Sequence, residues 1–149
     1  MGIFFDESRK LLTLETADTS YQMRVDAHGF LRHLYYGASV GRSDMSYLYN
    51  DYDRGFSGNP YLPRYDRTLS LDTLPQEYTS FGVGDFRVGA ISVVNGDGSY
   101  SADFRYVSHE ILPGKYAIPG MPAVYDNGGE AETLIITVQD PVTLLTVRL

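Results

Sequence analysis

The sequence contains no cysteine, which removes disulfides, thiol nucleophiles and sulfur-ligated metals together. That composition fits a cytoplasmic setting, where disulfides do not persist. Tryptophan is absent as well, there are only two lysines, and no apolar run reaches eighteen residues, so no membrane-spanning helix can be drawn. The first ten residues mix acids with apolar side chains and lack a small-residue cleavage site, unlike a signal peptide. Positive charge is scarce too: a formal net charge of −7 disfavours nucleic acid, whose phosphates need clustered lysine and arginine.

What is present is enough to fold. Hydrophobic residues make up 43% of 149, which supports a core and one domain, or part of a larger one. Ten arginines stand against the two lysines, a preference that suits planar, forked contacts to carboxylates or ligand hydroxyls. Thirteen tyrosines supply amphipathic rings, which serve sugar sites and β-sheet faces equally well.

The patterning is that of strands and turns. Gly2 to Phe5 and Leu11 to Glu15 are short β-favouring runs separated by a polar turn. Tyr21, Met23 and Val25 alternate with Gln22, Arg24 and Asp26, the period of a half-buried strand. Gly29 is available for positive φ in the turn that follows, so residues 19–36 read as an antiparallel hairpin. A second hairpin is expected from Ala90–Val94 and Tyr100–Val107 around Asn95-Gly96-Asp97-Gly98. A third is expected from Thr133–Val138 and Val142–Leu149 around Gln139-Asp140-Pro141. No window carries helical periodicity with caps at both ends, and the fold class is all-β, an antiparallel sandwich with little helix.

Two long stretches, residues 37–78 and 112–129, resist strand assignment; loops of that length are functional or form contact surfaces. The chain stops at Val147-Arg148-Leu149 within a strand-like run, which reads as part of a larger domain.

Residues 51–57 and 65–68 are the dense polar clusters, each setting an acid beside an arginine: Asp53-Arg54 and Asp66-Arg67. Two readings stand side by side. Carboxylate and guanidinium can hold the hydroxyls of a sugar, with Phe56 or a tyrosine over its apolar face. Equally, they can tie a long loop to its own backbone. Asp53 and Asp66 form a chance carboxylate pair as readily as a glycosidase pair. His28, His33 and His109 lack metal-ligand spacing, and no metal or cofactor is implied. Gly82-Val83-Gly84-Asp85 is a glycine-rich turn without the Lys-Ser/Thr of a phosphate loop.

Several phrases in order carry a resemblance: His33-Leu34-Tyr35-Tyr36-Gly37, Asp53-Arg54-Gly55-Phe56-Ser57, the thirteen residues from Asp66 to Tyr78, and Gly82-Val83-Gly84-Asp85-Phe86-Arg87. Together they resemble the N-terminal region of bacterial α-galactosidases of glycoside hydrolase family 36, over essentially the whole chain. The resemblance implies that residues 1–149 are part of an N-terminal β-supersandwich, followed in the family by a (β/α)₈ barrel and a small C-terminal β-domain. It implies a retaining hydrolase of terminal α-linked galactose, as in melibiose and raffinose, with both catalytic carboxylates in the barrel. No catalytic residue is therefore assigned to this chain, which is expected to be inactive alone. In tetrameric family members the N-terminal domain reaches a neighbour's active site. The substrate contacts made there fall on Asp53 and Arg67, leaving Arg54 and Asp66 as loop braces. Leu144 departs from the pattern, standing where relatives often have glycine. The alternative is a stand-alone carbohydrate-binding or interaction module without catalysis.

Overall fold

Among the described residues, seven strands in two antiparallel sheets face each other across one apolar layer. The computed structural model describes residues 2–53, 66–122, 125–126 and 129–149. The first sheet is a meander, β1 (Gly2–Asp6), β2 (Leu11–Glu15), β3 (Thr19–Val25) and β4 (Leu31–Ala38), in the spatial order of the chain. The second holds β5 (Arg105–Pro113), β6 (Glu132–Gln139) and β7 (Thr146–Arg148). One 3₁₀ turn, Ser46–Leu48, is the helical element among the described residues. The all-β reading holds.

The core follows from the period-2 pattern. Leu12, Met23, Val25 and Leu31 point from the first sheet onto Ile136 and Val138 of β6, with Ala102 and Phe104 beside them. Each large side chain withdrawn from water here contributes roughly 1.5–3 kcal/mol. A smaller cluster of Phe30, Leu69, Leu71 and Leu74 seals residues 69–74 against the β3–β4 turn. Gly29 in that turn has φ +86°, as its position requires.

The alternation on β3 is correct, but its polar side does not face solvent. Thr13, Ser20 and Gln22 are buried because residues 39–48 cross that face as a roof. Gln22 Nε2 donates to the Ser43 carbonyl at 2.7 Å and to Thr13 Oγ1 at 3.1 Å, and Gln22 Oε1 accepts from the Met45 amide at 3.2 Å. Ser20 Oγ accepts the Val40 amide at 2.8 Å. These bonds satisfy a backbone that has no ladder of its own.

The expected second hairpin is corrected. Its turn closes, with the Gly98 amide on the Asn95 carbonyl, but residues 90–94 and 100–104 form no ladder. Their backbone groups bond residues 79–81 instead: the Ala90 amide donates to the Thr79 carbonyl and the Ala102 amide to the Phe81 carbonyl. Ser80 Oγ donates to the Ala102 carbonyl at 2.6 Å. Gly82 makes this approach possible, since a Cβ there would lie 2.6 Å from Ser101 Cβ at a φ of +98°. The strand begins only at Arg105 and pairs with β6.

The third hairpin forms, with a shorter return strand than expected. Asp140, nearly fully buried, accepts the amides of Val142 and Thr143 on Oδ1 and that of Asp103 on Oδ2, which keeps residues 141–144 in a turn. Leu144 closes it at φ +60°, a left-handed conformation. Its side chain is 66% exposed, so packing does not compensate. Leu144→Gly should therefore stabilise the chain. Relief of roughly 1–2 kcal/mol, less roughly 0.5–1 kcal/mol for glycine's extra freedom, leaves about 0.5–1 kcal/mol. A raised urea midpoint with an unchanged slope is expected; an unchanged or lower midpoint would contradict the strain.

Candidate functional site

Two loops meet beside the β3–β4 hairpin, and each is anchored by an acid. The first is the continuation of the roof. Asp51 receives the Arg32 guanidinium as a fork, Nη2 to Oδ1 at 2.7 Å and Nη1 to Oδ2 at 3.4 Å. The same guanidinium lies 3.9 Å from the centroid of the Tyr49 ring. The second loop opens at Asp66, whose Oδ1 accepts the Thr68 amide at 3.0 Å and the Thr68 hydroxyl at 2.6 Å. Its Oδ2 lies 2.9 Å from His28 Nε2.

Asp53 and Arg67, the two residues singled out as sugar contacts, come together where these loops meet. Arg67 Nε donates to Asp53 Oδ1 at 2.8 Å, and the side chains remain 62% and 60% exposed. Asp66 is a brace, as expected. Arg54, Phe56 and Ser57 lie outside the described residues. Asp53 Oδ1 accepts from Arg67 Nε, whereas Asp66 Oδ2 lies against His28 Nε2.

Behind the pair is a polar cavity of about 210 Å³ whose wall includes Arg24, Asp26, His28, Arg32, Tyr49 and Asp66. Four buried side-chain atoms without a hydrogen-bond partner among the described residues belong to this wall: Arg24 Nε, Asp26 Oδ2, Arg32 Nε and Tyr49 Oη. Burial drives the Tyr49 phenol well above its ordinary range, so it stays neutral. Arg24 and Arg32 are direct cross-strand partners, an unfavourable like-charge juxtaposition. Asp51 lies in the polar cluster noted in the sequence, whereas Arg32 was not singled out by sequence reasoning.

The second loop is fixed at its far end by Asp85, which is 1% exposed. Arg87 donates to it from Nε at 2.9 Å and Nη2 at 2.7 Å, and Gln76 Nε2 from 3.0 Å. Arg87 Nη2 also donates to the carbonyls of Leu71 and Leu74. Burial works to raise the Asp85 carboxyl, but the Arg87 bonds and charge outweigh it and hold it lowered. Residues 75–77 add to the open edge of β4: the His33 amide donates to the Pro75 carbonyl and the Glu77 amide to that of Leu31.

The histidines are tied into the fold. His33 Nδ1 lies 2.9 Å from Glu77, and His109 accepts or donates to the Tyr106 hydroxyl while packing on Phe5 at 4.2 Å. Among the described residues no group of three or more His, Cys, Asp or Glu is placed to hold a metal. The glycine-rich turn at residues 82–85 folds back on itself through mutual Gly82 and Asp85 backbone bonds.

The family model described as the glycosyl hydrolase family 36 N-terminal domain matches residues 29–149. The chain belongs to that family. It is 50% identical over 140 residues to the bifunctional α-galactosidase/sucrose kinase AgaSK of Mediterraneibacter gnavus, covering 94% of this chain and 15% of that protein. It is 39% identical over 150 residues to the α-galactosidase AgaA of Geobacillus stearothermophilus, covering all of this chain and 20% of that protein. The solved galactosidase domain of AgaSK superposes with a TM-score of 0.90 at 48% identity, covering 98% of this chain and 20% of that one. A structure of AgaA in complex with raffinose superposes at 0.83 and 40% identity, covering 93% of this chain and 19% of that one. The chain thus spans about a fifth or less of the length of these relatives.

The Thr68 and His28 bonds hold the Asp66 carboxyl at about 2, below its ordinary 3.8. A depressed carboxylate stabilises the fold above its unfolded pKa and loses that contribution as pH falls toward the folded value. Anchoring of the second loop should therefore weaken between about pH 4 and pH 2. Protection of the Thr68 amide, its exchange taken relative to the intrinsic rate at each pH, should fall across that window in wild type, and Asp66→Asn should flatten the dependence. Thr68 protection that does not change with pH there would contradict the brace.

Proposed function

We propose that this chain is the substrate-side part of an α-galactosidase's N-terminal domain, in a retaining hydrolase that releases terminal α-linked galactose from oligosaccharides such as melibiose and raffinose. In this reading Asp53 and Arg67 contact the sugar at the active site of a neighbouring subunit in a homo-oligomer, and the bond-breaking carboxylates lie outside the chain.

The observation that carries the reading is the exposed Asp53–Arg67 pair. An ion pair in water adds about 0–1 kcal/mol to a fold, so stability gives little reason for two anchored loops to converge on it. A carboxylate accepts from sugar hydroxyls and a guanidinium donates to them, and each hydroxyl does both. Such contacts to non-reacting hydroxyls orient the ring and supply remote binding energy. The raffinose seen bound to AgaA supports this substrate class. Asp66 does not suit general acid work, which needs an acid still protonated near neutral pH, because its carboxyl is held at about 2.

In the enzyme that carries this domain, Asp53→Ala and Arg67→Ala should each remove about 1.5–3 kcal/mol of charged hydrogen bonding. That is about a ten- to hundredfold loss in kcat/KM, with the melting temperature nearly unchanged. The isolated chain should give no turnover of a nitrophenyl α-galactoside above the buffer blank. Wild-type kcat/KM in both variants, with assembly intact, would remove the substrate role.

A further inference from the structure

We infer that Arg32 is a positioning residue for the Asp53–Arg67 pair: from within the sheet it fixes the segment that presents Asp53. This rests on the sugar-contact reading above and adds the part that holds the contact in place.

Arg32 is on β4, with a side chain 9% exposed. It holds residues 49 and 51 together, the ring of Tyr49 by its face and the carboxylate of Asp51 by a fork. Asp53 is two residues on, so no more than about 7 Å of chain separates it from that anchor. On the other side Arg67 directly follows Asp66, which is anchored at His28 in the turn of the same hairpin. Both members of the pair are thus tethered to one rigid β-hairpin, β3–β4, by short lengths of chain.

The arrangement is not the one the fold alone favours. Arg32 stands opposite Arg24 in the ladder, and the Nε of each is buried without a partner among the described residues. Apolar residues of similar volume usually serve stability as well as or better than buried charge. A forked guanidinium, however, fixes direction as well as distance, which a lysine or an apolar residue does not. Removing it need not unfold the chain, because Asp51 is 45% exposed and its carboxylate would stay hydrated.

Arg32→Met separates the two roles. The melting temperature should stay at or above wild type. In the nitrogen-labelled chain, the Arg67 Nε–H should lose its slowed exchange with water, although Arg67 and Asp53 are untouched. In the enzyme carrying the domain, kcat/KM should fall about tenfold, mostly through KM, and Arg32→Lys should be intermediate. Asp51→Asn, a change at a hydrated position, should reproduce both effects and decides the matter if Arg32→Met does not fold. The inference is overturned if Arg32→Met and Asp51→Asn leave the Arg67 Nε–H as protected as wild type and kcat/KM within twofold. If Asp53→Ala still damages kcat/KM in that case, the sugar contact survives and only the positioning role is lost. If instead Asp53→Ala and Arg67→Ala are silent, the sugar contact is lost; lost Arg67 Nε–H protection in Arg32→Met then still carries the positioning role, and unchanged protection overturns it.

Discussion

Gln22 has no surface in water, and both ends of its amide hold the chain that crosses the first sheet. Most of what surrounds the candidate site depends on this. A sheet face that carries Thr13, Ser20, Gln22 and Arg24 would ordinarily be left to solvent; here it is covered by backbone that belongs to no strand, with a single 3₁₀ turn at Ser46–Leu48. Such backbone must find partners for its amides and carbonyls, and each one left unpaired costs about 1–3 kcal/mol. The Gln22 and Ser20 side chains supply them, so an apolar residue at 22 would both bury well and undo the roof. The roof then delivers residues 49–53 to the hairpin, where Arg32 receives them.

The second loop is built on the same principle with a different device. Asp85 is out of water and its charge is answered by Arg87, whose Nη2 also reaches the carbonyls of Leu71 and Leu74. Leu69, Leu71 and Leu74 close over Phe30 at the same point. A short apolar cluster and one buried ion pair therefore do for residues 66–78 what a ladder would do for a strand. The β4 edge gains cover from residues 75–77 in the process, which removes an open row of backbone groups.

The strands around the two terminal hairpins were legible because period-2 alternation and turn residues act locally: Gly29 and the Asp140 turn lie where their chemistry demands. The second hairpin was not, because its turn signal is local while its backbone partners at Thr79 and Phe81 are not. Asn95 and Gly98 make the turn they encode without making the ladder the turn usually serves. The burial of Gln22 was not legible for a related reason. Its alternation identifies a face, and only tertiary structure decides whether that face meets water. Asp53 and Arg67 are singled out by a family phrase, and what the structure adds is their pairing, Arg67 Nε to Asp53 Oδ1 at 2.8 Å. Arg32 was hidden in an ordinary strand pattern, where a charged residue signals nothing until its partner from another loop is known.

The exposed pair and its buried supports divide the work in a physically sensible way. A contact meant for a ligand has to stay hydrated and accessible, so it cannot be fixed by burial. Left on free loops, two long side chains would lose rotamer and backbone freedom on binding, which reduces affinity. Placing the rigid elements one or two residues away resolves the conflict. Asp51 and Asp66 are anchored within the hairpin's reach, while Asp53 and Arg67 remain about 60% open to solvent. In the proposed sugar-binding role, ordering of the loops is thereby settled during folding, in the Gln22 roof and the Asp85 clamp, and would not have to be repeated each time a ligand arrives.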